Sequence, residues 1–184
     1  LTLDLNGLKL PRSTRVVGNL PYNLSAPILL KLLKFSSYGS RLADAVLTVQ
    51  LEVADRITGL PGSRNWGPLA IATQLHASPK RVLNLPPGAF RPMPKVRSAA
   101  VSLRFQRSHV QIQSRALFNS LVRALFTQRR KTTLNALKPF IAQRDTLPAL
   151  EICNRAGVNP NSRPGDLQLS ELADLTEVLV SAQK

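Results

Sequence analysis

The hydrophobic period of this chain changes once, near residue 107, and that change limits the folds open to it. Before it, short β-branched and alternating runs dominate. Arg15-Val16-Val17-Gly18 ends in a glycine, Ala45 to Gln50 is a second apolar run, and Val82 to Leu85 is a third. Ser98 to Phe105 alternates, with Ala99, Val101, Leu103 and Phe105 on one face and Ser98, Ala100, Ser102 and Arg104 on the other. That is the pattern of a half-buried strand. Between the first two runs, Ile28, Leu29, Leu32 and Leu33 recur at helical spacing, with Ser25 as the expected cap and Pro27 in the first turn. Strand, helix and strand make a βαβ unit and predict a parallel sheet. Gly59 to Gly67 reads as a loop, Leu69 to Ala77 as a helix stopped by Pro79, and the proline-rich Pro86 to Pro94 as irregular chain.

Beyond residue 107, Leu117, Phe118, Leu121, Val122, Leu125 and Phe126 form an amphipathic helical stripe that Ser114 can cap. Thr132 to Phe140, Leu147 to Ala156 and Ser170 to Ala182 are further helices, separated by Gly157, Pro160, Pro164 and Gly165. The expected architecture is an α/β domain over residues 1–107 followed by a small all-helical domain over 108–184.

Charge is distributed unevenly along this framework. The formal net charge is +15. Residues 1–55 carry 6 basic and 4 acidic side chains, and residues 145–184 carry 3 basic and 6 acidic; from Arg56 to Arg144 there are 16 basic residues and no acid. An acid-free stretch of that length reads as a surface laid along phosphates; the plainer alternative is scattered surface Lys and Arg. The single cysteine, Cys153, excludes a disulfide framework and a cysteine-built zinc site. Its apolar neighbours Leu150 and Ile152 point to a core position. His76 and His109 lack a metal-ligand spacing, no two acids form a catalytic pair, and no apolar run approaches the ~20 residues of a membrane span.

Three constellations carry chemistry. Asn19-Leu20-Pro21-Tyr22 follows the first strand, where open α/β sheets place their ligands. An amide, stiffened backbone carbonyls and an aromatic face suit an extruded base with an exocyclic amine; an ordinary Asn-Pro turn with a core tyrosine is the alternative. Phe90-Arg91-Pro92-Met93-Pro94-Lys95-Val96-Arg97-Ser98 offers a second aromatic among Arg91, Lys95 and Arg97, the mixture that single-stranded nucleic acid recognition uses; Phe90 as a core plug is the alternative. Thr127-Gln128-Arg129-Arg130-Lys131-Thr132-Thr133 gathers three cations beside hydroxyls, suited either to phosphates or to a helix C-terminus. Arg115 and Arg123 on the preceding helix extend the same patch.

Taken in order with Trp66-Gly67-Pro68-Leu69-Ala70 and Arg163-Pro164 plus Leu169 to Leu175, these segments resemble the KsgA-type ribosomal RNA adenine dimethyltransferases. The resemblance spans nearly the whole chain. It implies the C-terminal portion of a Rossmann-like methyltransferase domain followed by a helical RNA-binding domain. The implied activity is N6,N6-dimethylation of two adjacent adenosines near the 3′ end of small-subunit ribosomal RNA, with S-adenosyl-L-methionine as methyl donor. Carried over, Asn19 accepts from the target amine and lies against the cofactor, the Leu20 or Pro21 carbonyl accepts the second N–H, and Tyr22 and Phe90 sandwich the adenine. Arg91, Lys95, Arg97, Arg115, Arg123, Arg129, Arg130 and Lys131 become RNA contacts. The implied partner is ribosomal RNA or an assembling small subunit, met by a monomeric, cytoplasmic enzyme that needs no metal.

One departure from the family pattern stands out. The family's glycine-rich cofactor loop precedes the Asn-Leu-Pro-Tyr motif, whereas here 18 residues precede Asn19 and no Gly-x-Gly occurs in the chain. Leu1 to Leu5 resembles the stretch just after the absent motifs. The expectation is therefore a C-terminal part of the enzyme that is inactive alone. Two readings stand beside it: an Erm-type large-subunit methyltransferase, and an RNA-binding assembly factor that keeps the fold without the chemistry. All three share an electrostatic consequence. With about 5 phosphates neutralised, log K against log salt should fall with a slope on the order of −3 to −5. Titration with single-stranded RNA at several salt concentrations checks this, and a salt-independent affinity would contradict it.

Overall fold

In the computed structural model the described residues are 9–37, 41–106, 110–144 and 146–182; Leu1 to Leu5 and His109, discussed above, lie outside them. The chain forms two compact units, one of Leu1–Gly59 with Leu69–Ser108 and one of Leu60–Pro68 with His109–Lys184. Segment 60–68, counted with the first 107 residues in the sequence reading, thus joins the helical unit.

The first unit is built on four strands in the order β1-β2-β4-β3. They are β1 (Thr14–Asn19), β2 (Leu42–Gln50), β3 (Ala77–Leu85) and β4 (Ser98–Phe105). β1 and β2 are parallel and joined through α1 (Ser25–Ser37), as the βαβ pattern requires. The sheet as a whole is mixed, because β4 pairs antiparallel with both β2 and β3. The expectation of a parallel sheet is corrected there: the irregular proline-rich connection lets β4 return beside β3 without a crossover helix. One face is apolar by register, with Ala45, Leu47, Val49, Ala99, Val101 and Leu103 all buried against Leu29, Leu32 and Leu33 of α1. Each buried leucine or valine among them contributes about 1.5–3 kcal/mol, and each alanine less.

The largest departures from the sequence expectation lie at the junction into β3 and in the stretch that follows β2. Helix α3 covers Pro68–Gln74, and Ala77 already belongs to β3, which runs through Pro79. Pro79 is tolerated because β3 lies at the sheet edge, where a missing N–H breaks no second ladder. Helix α2 (Leu51–Ile57) follows β2 directly and was missed, since seven residues with only Ala54 and Ile57 buried give little periodic signal.

The second unit contains α4 (Arg115–Thr127), α5 (Thr133–Ile141), α6 (Ala149–Arg155) and α7 (Leu169–Ser181). Ser114 caps α4 by accepting from the Leu117 N–H at 3.3 Å, and Thr132 caps α5 by accepting from the Asn135 N–H at 3.3 Å. Phe118, Leu121, Leu125, Leu137, Ile152, Leu172 and Leu175 are fully buried, as is Cys153. Burial pushes the Cys153 thiol pKa up, so the group is an inert core atom.

Segment 60–68 is tied into this unit by polar bonds. The Trp66 indole N–H donates to the Leu167 carbonyl at 2.9 Å, and the Gly62 N–H donates to the Gly165 carbonyl at 2.8 Å. Arg129 donates from Nη1 to the Arg64 carbonyl at 2.7 Å and from Nη2 to the Ser63 carbonyl at 2.6 Å. Its guanidinium lies over Gly165, where a Cβ would stand 3.3 Å from Nε. A planar fork meeting two carbonyls at once cannot be copied by an ammonium. Arg129→Lys is therefore expected to destabilise the helical unit by about 1–2 kcal/mol in urea unfolding, whereas Arg130→Lys should stay within about 0.5 kcal/mol. Equal effects at the two positions would contradict the clamp.

Candidate active site and basic surface

Strand directions decide where the site forms. β1 and β2 run in parallel with Asn19 opposite Thr48, so their carboxyl ends coincide. β4 runs the other way and begins with Ser98 opposite Gln50. The chain entering β4 must therefore arrive at the end of the sheet where β1 stops. That chain is the proline-rich loop carrying Phe90 and Arg91. The two loops together line a cleft of about 360 Å³ formed by Asn19, Leu20, Pro21, Tyr22, Phe90, Arg91, Pro92 and Pro94.

The turn after β1 is held by its own bonds. The Leu20 N–H donates to the Thr48 carbonyl at 3.1 Å, and the Leu20 side chain packs on the core. Gly18 makes room for it, since a Cβ there would stand 3.3 Å from Leu20 Cδ2. Tyr22–Leu24 form a single 3-10 turn leading into α1. Ser25 is buried within the first turn of α1, and its hydroxyl donates to the Pro21 carbonyl at 3.1 Å. The expectation that Ser25 caps α1 is corrected, because the 3-10 turn already carries the chain into the helix. The Pro21 oxygen also accepts from the Leu24 N–H at 2.9 Å. With two lone pairs in use, it has no acceptor capacity left. The Leu20 carbonyl accepts no bond among the described residues, and so it is the open acceptor beside Asn19.

Asn19 lies on the same strand face as Arg15 and Val17, and all three are exposed. Val17 is 81% exposed and its register partner Val46 is also exposed, so this face is open at β1 and β2. Arg15 forms a two-pronged ion pair with Asp44, Nη2 to Oδ2 at 2.8 Å, which raises its pKa further.

Tyr22 is half-buried. Its Oη is 2.7 Å from Ser98 Oγ, at the start of β4. Ser98 stands out on the polar face of that strand because it is 0% exposed. The sequence signal for it was weak: a serine closing a motif, on the face expected to meet solvent.

The cations fall into distinct groups. Arg56 pairs with Glu52 at 2.5 Å and Arg81 with Asp55 at 2.6 Å. Arg144 lies over the Phe140 ring at 3.9 Å and donates to the Phe140 carbonyl. Arg129 is committed to the two carbonyls described above. Arg91 lines the cleft, while Lys95 and Arg97 are exposed on the same loop and form no ion pair among the described residues. In the helical unit, Arg115, Arg123, Arg130 and Lys131 are exposed and outside the cleft lining. No cluster of metal-ligating side chains occurs among the described residues, and none of their helices is long and apolar enough to cross a membrane.

Comparison with known proteins follows the same lines. The family model described as ribosomal RNA adenine dimethylase matches residues 5–180. A ribosomal RNA small subunit methyltransferase A of Acinetobacter baylyi is 37% identical over 167 residues, covering 90% of this chain and 57% of the relative. Its namesake in Francisella tularensis subsp. novicida is 34% identical over 181 residues, covering 97% and 66%. The chain thus spans about three-fifths of the length of these relatives. Among solved structures, a dimethyladenosine transferase from Plasmodium falciparum superposes with a TM-score of 0.71 at 22% identity, over 94% of this chain and 68% of that one. The 23S rRNA methyltransferase ErmE gives 0.64 at 22% identity, over 98% and 71%. Both share the Rossmann-like methyltransferase fold expected from the sequence. With a family model matching almost end to end and the motif residues gathered at one end of the sheet, the chain belongs to the ribosomal RNA adenine dimethylase family.

Proposed function

We propose that the cleft between the Asn19–Tyr22 turn and the Phe90 loop receives an adenine base flipped out of small-subunit ribosomal RNA, and that the whole protein dimethylates N6 of two adjacent adenosines there. The observation that carries this reading is the joint lining of one cleft by Asn19, the open Leu20 carbonyl, Tyr22 and Phe90. An exocyclic amine presents two N–H groups. The Asn19 side-chain oxygen accepts one and the Leu20 carbonyl accepts the other, while the Pro21 carbonyl is already engaged by Leu24 and Ser25. Two acceptors holding the N6 protons leave the nitrogen lone pair for bond formation, and one proton departs to solvent as each methyl is gained. Tyr22 and Phe90 stack on the ring, and Arg91 stands at the cleft for the adjoining phosphate.

S-adenosyl-L-methionine, when bound, supplies an activated methyl carbon, so the protein's task is alignment and no strong base is required of it. The residues present fit its methyl-bearing end: the exposed Asn19 amide lies at the carboxyl end of β1, on the open sheet face with Val17. No Gly-x-Gly occurs in the 184 residues, and the chain by itself is accordingly expected not to turn over. In this reading residues 1–107 form part of the methyltransferase domain, and residues 108–184 bind RNA through the exposed Arg115, Arg123, Arg130 and Lys131. Arg129 is removed from that set by its structural bonds. The small-subunit assignment over a large-subunit one is supported by relatives named for the small subunit at 34–37% identity.

The test is transfer of labelled methyl groups to unmethylated small ribosomal subunits, by this chain and by a version extended upstream. Transfer is expected from the extended version alone. Within it, Tyr22→Ala and Phe90→Ala should each lower transfer roughly ten- to hundredfold, the scale of one lost base–aromatic stack. Undiminished transfer in both variants would overturn the base-sandwich reading. RNA binding without transfer in either version would favour an assembly factor.

A further inference from the structure

We infer that Ser98 is a positioning residue for base recognition, holding the Tyr22 ring in its stacking orientation through the Oη···Oγ hydrogen bond. The inference rests on the reading of the cleft as a base site. Three observations carry it. Ser98 is wholly buried although it lies on the polar face of β4, and its hydroxyl meets Tyr22 Oη at 2.7 Å. Its backbone is fixed on both sides, paired with Gln50 of β2 and Leu85 of β3, and the preceding Arg97 carbonyl accepts from the Leu51 N–H at 2.9 Å. Tyr22, by contrast, sits on a short 3-10 turn and is only half-buried, so the bond at its tip is a specific restraint on the ring.

The tether has a second consequence. Ser98 closes the loop that carries Phe90, so a single hydroxyl ties the Tyr22 wall of the cleft to the strand from which the Phe90 wall departs. A flat base needs two aromatic faces held apart by one ring thickness. Fixing the Tyr22 face before RNA arrives means that ordering this ring is not a cost of binding.

A merely structural serine and a positioning one are separated by comparing two affinities. One is for a short single-stranded RNA with adjacent adenosines, and the other for the same RNA carrying an abasic sugar at the target position. Their ratio reports base insertion alone, because phosphate contacts and any misfolded fraction scale both affinities equally. For the unaltered chain the ratio is expected to be roughly ten- to hundredfold. Ser98→Ala should lower it about fivefold, and Tyr22→Phe, which removes the same bond from the other side and leaves Ser98 packed, should lower it equally. The double variant should lose no more than either single one. An unchanged ratio in Ser98→Ala and Tyr22→Phe, or additive losses in the double variant, would overturn the role of Ser98 while a ratio abolished by Tyr22→Ala keeps the base site standing. A ratio of one in the unaltered chain would overturn the base site and this inference together.

Discussion

The antiparallel entry of β4 beside β2 is the constraint on which the candidate site depends. A parallel strand in that place would begin at the opposite end of the sheet and leave the Phe90 loop a strand's length from Asn19. Because β4 starts where β1 and β2 finish, two loop segments separated by about seventy residues of sequence meet at one end of the sheet. The ladder registers place the backbone, and the Tyr22–Ser98 bond places the ring. Chemistry at this site therefore rests on sheet topology first and on individual side chains second.

The basic stretch looks different once its members are sorted by what they touch. Arg56, Arg81 and Arg144 are spoken for by carboxylates, a ring or a carbonyl, and Arg129 holds the segment around Ser63 and Arg64 in place. Formal charge overstates the cations available to phosphate. What remains on the described part of the first unit is Arg91, Lys95 and Arg97 on the proline-rich loop that walls the cleft, with Lys80 and Arg104 exposed on β3 and β4. At a stacking site of the kind proposed, a basic group would both draw in the nucleic-acid backbone and fix the register of the base.

Much of this was legible in the sequence where periodicity was strong. Alternation from Ala99 to Phe105 and the stripe from Leu117 to Phe126 gave β4 and α4 with their buried faces, and Ser114 was readable as a cap. Strand direction was not legible. Nothing local in Ser98 to Phe105 tells whether the chain will cross over or turn back, and so the sheet was read as parallel. Pro79 reads as the stop of a helix, because a proline breaks helix interiors, but the edge position of β3 lets it sit within a strand. At the site, residue types pointed to Asn19, Tyr22 and Phe90, yet the choice between the Leu20 and Pro21 carbonyls needed the bonds from Leu24 and Ser25. Arg129 shows the same limit: a guanidinium bound to carbonyls and one bound to phosphate look the same in sequence, and its bonds to Ser63 and Arg64 appear only in the fold.

The central claim, that an adenine enters between Tyr22 and Phe90, is tested most directly by photo-crosslinking. Small-subunit ribosomal RNA carrying a photoreactive adenosine at the target position would be bound to the protein, irradiated and mapped by peptide mass spectrometry. The expected result is crosslinks in the peptides containing Tyr22 and Phe90, lost when an unreactive adenosine occupies that position. Crosslinks confined to the helical unit, with none at the cleft, would contradict it.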